Sequence, residues 1–324
     1  MEKNIKTSDN YVYHQSLNQD KCNILTQFMH NNMDNINTLL DIGCNTGALS
    51  YKYNNIIKVK GIDISKKEDL KIPNDYNFSQ CDISKLKYLD IKYDVIFFLS
   101  VYHHLLGKYG VKYADNIFYM ILFNSKYLLF DVGNVSETGR KEQEWYKKQV
   151  QIFNNEKQLL DHFQIPYKIL GEWNVASGKR SIILFESKNI FKNLKIDGAY
   201  RRLDGGQYRD IGLIKKDNWN KYKNIFNNRD FYKLQIGSSY LFAKEINETN
   251  NTEYDNTKKA YASLNYYNIP FMVGTLFIEE LNKTFIIFEW LENIKFCKKI
   301  SVKNFKDVQL FTSNSKEYLI DFEV

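Results

Sequence analysis

Between Ile36 and Ser187 short apolar runs alternate with amphipathic stretches, the pattern of strands separated by helices. The runs predict strands at 38–41, 58–63, 76–79, 93–98 and 127–131, with helical or turn-rich stretches such as 114–124 between them. Two further runs, at 167–170 and 180–185, are joined by the short connection 171–179, which predicts an antiparallel hairpin. The expected architecture is α/β: a seven-stranded, mostly parallel, Rossmann-like sheet with one reversed edge strand. From 188 to about 230 the alternation stops, the residues are polar, and Asp204-Gly-Gly-Gln is a turn signal. Beyond it lie strand-like runs at 231–235 and 240–246, a helical stretch 255–267 ended by Pro270, and strands at 271–278 and 284–289. The pattern predicts a first domain over 1–190, a connecting segment over 191–230 and a smaller α+β domain over 231–324, with no internal repeat.

The length of 324 residues agrees with about two domains, and 44% hydrophobic content is ample for two cores. The longest purely apolar run, Ile117 to Phe123, is far short of the roughly 18 residues that cross a bilayer. The opening Met1-Glu-Lys-Asn has no apolar signal region, so the expected location is cytoplasmic. Cys22, Cys44, Cys81 and Cys297 form no metal-spaced set, which predicts reduced thiols and no metal site. A net charge of +7 favours anionic partners, yet the lysines are spread evenly and nucleic acid is not favoured on charge.

The strongest motif is Leu39-Leu-Asp-Ile-Gly-Cys-Asn-Thr-Gly-Ala-Leu-Ser50: a buried strand ending at Asp41, then a tight loop with Gly43 and Gly47 expected to open a helix. Glycine lets the backbone turn sharply against a ligand, and Asn45 between them tolerates a left-handed conformation. An acid is expected at the end of the next strand, about 20 residues on, and Asp63 stands there. Its carboxylate can accept both hydroxyls of a ribose while Ile64 offers an apolar face to a purine. Asp82, before Ile83, ends the third strand and can take an adenine amino group. A dinucleotide site would carry G-x-G-x-x-G; here the spacing is G-x-x-x-G, and Asp41 would repel a pyrophosphate while attracting an ammonium.

These residues together resemble the class I S-adenosylmethionine-dependent methyltransferases over residues 35–187. The resemblance rests on Asp41-Ile-Gly-Cys-Asn-Thr-Gly, Asp63, Asp82-Ile83 and the strand Tyr93-Asp-Val-Ile-Phe-Phe-Leu-Ser100, in the family's order. It implies S-adenosylmethionine as cofactor, held by Asp41, Gly43, Cys44, Asn45, Gly47, Asp63, Ile64, Asp82, Ile83 and Ser100. It also implies that Tyr13, in Tyr11-Val-Tyr-His-Gln15, belongs to a segment that folds over the cofactor. In-line methyl transfer needs alignment and, for a neutral acceptor, a base. Leu99-Ser-Val-Tyr-His-His-Leu105 lies where open α/β sheets place substrates, so His103, His104 and Tyr102 are the catalytic candidates. Lys179 and Arg180, at the turn into the last strand, are candidates to bind an anion.

The Asp-Ile-Gly-Cys-Asn-Thr-Gly version with Leu-Ser-Val is similar to the branch that methylates phosphates. It resembles the methyltransferase half of bifunctional methyltransferase/kinase proteins that cap O-antigen polysaccharides. A phosphorylated saccharide is therefore the expected acceptor, with RNA or nucleotide as the alternative. The second domain resembles the amino-terminal lobe of a protein kinase, with Lys244 as phosphate-contacting lysine, 288–291 as hinge and Asp321 in a metal-binding segment. No H-x-D-x-x-x-x-N string is present and Ala260 stands where a lysine-pairing Glu is usual. The expected module is a truncated or degenerate kinase serving as scaffold, which leaves a non-catalytic pseudokinase scaffold as a third reading.

Overall fold

The computed structural model describes residues 5–6, 12–13, 18–175, 178–190, 194–202, 213–215, 231–246, 252–263, 269–278, 281–291, 295–302 and 305–320. The chain divides into two compact units, Met1–Leu86 with Ile91–Ile190, and Lys87–Asp90 with Phe191–Val324.

The first unit begins with strands β1 (Ile5–Lys6) and β2 (Val12–Tyr13), then helix α1 (Gln19–Asn32), β3 (Thr38–Ile42), β4 (Lys58–Asp63), α2 (Lys67–Leu70) and β5 (Phe78–Gln80). It continues with β6 (Tyr93–Leu99), α3 (Tyr102–Tyr109), α4 (Val111–Phe123), β7 (Ser125–Asp131), α5 (Glu144–Ile152), α6 (Glu156–His162), β8 (Tyr167–Val175) and β9 (Gly178–Glu186). Strands β3 to β9 form one seven-stranded sheet in the order β5-β4-β3-β6-β7-β9-β8. The chain order reverses between β3 and β6, and such a switch point opens a crevice at the carboxyl ends of the strands.

The reversed strand is β9, antiparallel to β7 and to β8, so it is the penultimate strand rather than the edge. The chain runs from β7 through two helices to the outer position, and the hairpin then returns into the gap. Strand β6 is buried on both faces. Val95, Phe97 and Leu99 pack with Leu25, Phe28 and Met29 of α1, while Phe98 meets the aromatic cluster of Tyr102, Phe118, Phe130, Phe163 and Phe185 on the other side. At the opposite edge the Asp94 carboxylate accepts the N–H groups of Asn37 and Thr38 at 2.8 and 3.0 Å, which fixes where β3 begins beside β6.

The second unit contains β10 (Lys195–Arg202), β11 (Leu213–Lys215), β12 (Phe231–Ile236), β13 (Ser239–Ile246), α7 (Thr252–Ser263), β14 (Met272–Ile278) and β15 (Lys283–Glu289). Its strands pair antiparallel in the order β11-β10-β12-β13-β15-β14. A separate three-stranded sheet is made of β16 (Lys295–Val302), β17 (Phe305–Ser313) and β18 (Lys316–Ile320). Ile246, Ala260, Tyr261, Ile286 and Phe288 centre its α+β core. The stretch 191–230, read as a polar connection, contributes β10 and β11. A register shift between Ile196 and Gly198 breaks the alternation there, which hides the strand from a period-two reading. Helix α7 starts earlier than expected, and the Asp204 turn, residues 264–268 and Asp321 lie outside the described residues.

Candidate active site

The loop after β3 is built against the end of β4. The N–H groups of Gly43 and Cys44 both donate to the Ile62 carbonyl, at 2.8 and 3.0 Å. Gly43, Asn45 and Gly47 all have positive φ, of 73°, 50° and 74°, where side chains other than Asn are strained. A Cβ at Gly43 would also stand 2.6 Å from Val101 Cγ2, so the turn admits no larger residue. The expected following helix is absent: the chain passes through turns and a short 3-10 helix, Tyr51–Tyr53. Tyr-Lys-Tyr-Asn-Asn is a poor helix former.

Three carboxylates mark three strand ends. Asp63, 5% exposed, accepts Asn45 N–H at 3.0 Å through Oδ2 and Ser65 N–H at 2.8 Å through Oδ1. Ile64 beside it is 55% exposed, an apolar side chain held open to solvent. Asp82 accepts the Ser84 N–H and hydroxyl through Oδ1, at 3.0 and 2.6 Å, capping the turn that carries Ile83. Asp41 is buried and receives the Ser50 hydroxyl at 2.6 Å. Burial pushes its carboxyl up to about 6; the Ser50 bond and Lys21 oppose the shift, and Asp63 adds to it. Tyr76, whose hydroxyl lies 2.6 Å from Ser50 Oγ and whose ring fills the space beside Gly47, completes this side.

The ends of β6, β7 and β9 carry a different chemistry. Ser100, with φ of 61°, donates to Asp131 Oδ1 at 2.7 Å and accepts Arg180 Nη1 at 3.0 Å. Lys21 of α1 bridges Asp131 Oδ2 at 2.7 Å. Burial alone would raise Asp131, but Lys21 and Arg180 hold it below the usual carboxylate range. Arg180 forms a two-pronged pair with fully buried Glu137, at 2.7 and 2.9 Å. His103 Nδ1 accepts Gly133 N–H at 2.9 Å, so its ring is neutral, and burial, then His104, Arg180, Lys21 and Arg140, hold its pKa well below the ordinary value. His104 keeps part of its ring open to solvent, yet crowding by protein atoms, then Arg180 and Arg140, push it down to about 4.

Residues 40–119, which span β3 to α4, match the family model described as "Methyltransferase domain". That stretch is similar to a methyltransferase domain, for which the loop and acids described above imply S-adenosylmethionine as cofactor. No curated protein matches the sequence. Among solved structures, the chain is similar to the "bifunctional kinase-methyltransferase WbdD" at 13% identity and a TM-score of 0.42, over 84% of this chain and 62% of that one. It is also similar to the plantazolicin methyltransferase BpumL in complex with SAH, at 16% identity and a TM-score of 0.37, over 52% of this chain and 84% of that one. The chain thus spans less than two thirds of the length of the WbdD structure it matches.

The residues of the first unit fit that cofactor. Asp63 spends one lone pair of each oxygen on the backbone and keeps another on each for vicinal hydroxyls. The two glycines carry the loop round with no side chain of their own, their Cβ directions being taken up by Val101 and Tyr76, and Ile64 presents an uncovered apolar face. Two expectations need correction. Tyr102 is fully buried, packs in the aromatic cluster and donates its hydroxyl to Asp115 at 2.7 Å, because it begins α3 on the side facing the core. Arg180 is no open fork: Glu137 occupies it. Lys179 is exposed and lies 3.4 Å from Glu172, Tyr13 is placed by its backbone in β2 alone, and Lys244 stands in β13 opposite Ile286. Lys21, Asp131, Glu137 and Tyr76 were missed as site residues. Asp131 had a signal, since it ends its strand as Asp41 and Asp63 end theirs.

Among the described residues no cluster of His, Cys, Asp and Glu has the makings of a metal site, and no helix is long and apolar enough to cross a membrane.

Proposed function

We propose that the methyltransferase unit transfers a methyl group to an anionic oxygen, a phosphate on a saccharide terminus. The observation that carries this reading is the placement of His103, buried and with Nδ1 already taken by the Gly133 N–H. A base for a neutral hydroxyl works best with a pKa near the operating pH. His104 at about 4 and His103 well below its ordinary value are poorly matched to that task. A phosphate oxygen is already anionic and asks only for positive charge and alignment. Arg140 supplies positive charge near both rings, while Lys21 and Arg180 are matched to Asp131 and Glu137.

When bound, the cofactor supplies an electrophilic methyl carbon on a positively charged sulfur. On this reading Asp63 takes the ribose hydroxyls, Asp82 and Ile83 the adenine side, and Asp41 the ammonium of the methionine portion. Gly43, Cys44, Asn45 and Gly47 let the backbone approach the cofactor, and Ser100 closes the edge between donor and acceptor. The saccharide rests on the resemblance of Asp41-Ile-Gly-Cys-Asn-Thr-Gly and Leu99-Ser-Val to the phosphate-methylating branch. The second unit supports it as a kinase-lobe-like platform: Lys244 lies in the middle of its sheet, α7 follows, and buried Ala260 stands where catalysis would ask for a glutamate.

The test offers the protein, with labelled S-adenosylmethionine, one oligosaccharide with and without a terminal phosphate, and a 5′-phosphorylated RNA. Label transfer to the phosphorylated saccharide alone is expected, at a rate flat above pH 5 and changed less than about tenfold by His104→Ala. Methylation of the unphosphorylated sugar, or a rate that needs a group titrating near 7, would refute the reading, and labelling of the RNA would move the acceptor to nucleic acid.

A further inference from the structure

Residues 133–143 form a tied-down turn rather than a loose connection. Gly133 N–H donates to His103, and its carbonyl accepts Gln149 Nε2 at 2.5 Å. Asn134 N–H donates to Glu137 Oε1 at 2.6 Å, and Tyr146 Oη donates to the Val135 carbonyl at 2.8 Å. Arg140 N–H donates to the Glu137 carbonyl at 2.8 Å, and Gln143 N–H to the Arg140 carbonyl at 2.9 Å. Glu137, clamped by Arg180, therefore fixes the turn that carries Arg140 to the end of β9.

Lys21, Arg140 and Arg180 bear on His103, and the two arginines on His104 as well; two of these three cations are spoken for. Lys21 is neutralised by Asp131 and Arg180 by Glu137. The guanidinium of Arg140 makes no hydrogen bond and no ion pair among the described residues, although the residue is half-buried. It is close enough to both histidines for its charge to depress each of them. A half-buried guanidinium without a carboxylate partner, held on a pinned turn at the substrate edge of the sheet, is a charge placed for a ligand.

We propose that Arg140 binds the oxyanion of the methyl acceptor and so makes the unit selective for phosphorylated over neutral acceptors. This rests on the reading of the unit as a methyltransferase of anionic oxygen. In the step it serves, a lone pair of the acceptor oxygen forms the new O–C bond while the C–S bond breaks. That electron pair goes to sulfur, which becomes a neutral thioether, and no proton moves. Arg140 holds the remaining phosphate oxygens in place.

The experiment titrates inorganic phosphate into the full chain loaded with S-adenosylhomocysteine, following heat and the ring signals of His104 by NMR. Wild type is expected to bind phosphate, Arg140→Ala to bind it at least about tenfold more weakly, and Arg140→Lys to recover part of the loss. Without phosphate, Arg140→Ala should raise the pKa of His104, because a positive charge beside it is gone. Arg140→Gln is the second variant should the alanine protein be poorly folded, with thioether binding as the check. Equal phosphate binding by wild type and the charge-removing variants overturns the assignment, as does an unmoved His104. If wild type fails to bind S-adenosylhomocysteine at all, the methyltransferase reading falls first; if it binds that compound but no phosphate, only the Arg140 assignment falls.

Discussion

The two halves of the sheet edge solve opposite electrostatic problems. At β3, β4 and β5 the ends carry Asp41, Asp63 and Asp82, whose oxygens are met by backbone N–H groups and hydroxyls rather than by ion pairs in direct contact. At β6, β7 and β9 the acids Asp131 and Glu137 are each matched to a cation, Lys21 and Arg180. Carboxylates satisfied by dipoles remain able to attract a cationic or hydroxyl-bearing ligand, whereas matched pairs set a rigid and nearly neutral floor. The first half is thereby suited to a positively charged nucleoside. On the second half Arg140 is the charge left over, and the anionic acceptor proposed above is the ligand whose sign would complement it.

The sharpest break of this comparison is Glu137→Ala. Removing one partner of a buried pair leaves the other charge unmatched, a loss of about 3–5 kcal/mol. The fully buried Glu137 also holds Asn134 N–H, so the turn carrying Arg140 loosens together with Arg180. Urea denaturation is the measurement; a loss no larger than that of a surface substitution would show that the cationic half is not a built charge balance.

Next in size is Asp63→Ala, which acts on the other half. It removes the acceptor shared by the loop and the ligand, leaving the Asn45 and Ser65 N–H groups without their partner. Hydrogen bonds to charged groups are worth about 1.5–3 kcal/mol each, so affinity for S-adenosylhomocysteine should fall at least roughly a hundredfold. Calorimetry reads this directly, and retained affinity would move the ribose away from β4.

The acidic half was legible in the sequence because its logic is local. Each acid sits at the end of an apolar run, and the glycines that shape the loop lie within a few residues of Asp41. The cationic half was not, because its pairs are long-range: Arg180 and Glu137 are 43 residues apart, and nothing near Glu137 or Lys21 announces a partner. Tyr102 failed for a geometric reason. Consecutive residues on a helix diverge by about 100°, so a helix beginning at the strand end cannot aim Tyr102 and His103 at the same place. In the fold the strands were visible wherever the period held, and β10 was lost where a bulge interrupts it.

The smallest effect expected is a pH dependence that belongs to the acidic half alone. Asp41 has a carboxyl raised from 3.8 to about 6, chiefly by burial. Between these values the folded protein holds a proton that the unfolded chain has released, so this group's contribution to stability falls as pH rises through that window. A cation bound beside Asp41 favours the ionised form and releases the proton. Affinity for S-adenosylhomocysteine should therefore fall as pH drops below 6, by about tenfold between pH 7 and pH 5. Calorimetry in two buffers of different ionisation heat should register the released proton at pH 5, and Asp41→Asn should bind with a flat pH profile. A flat profile in the wild type would mean that Asp41 does not meet the ammonium and that the methionine portion lies elsewhere along the edge.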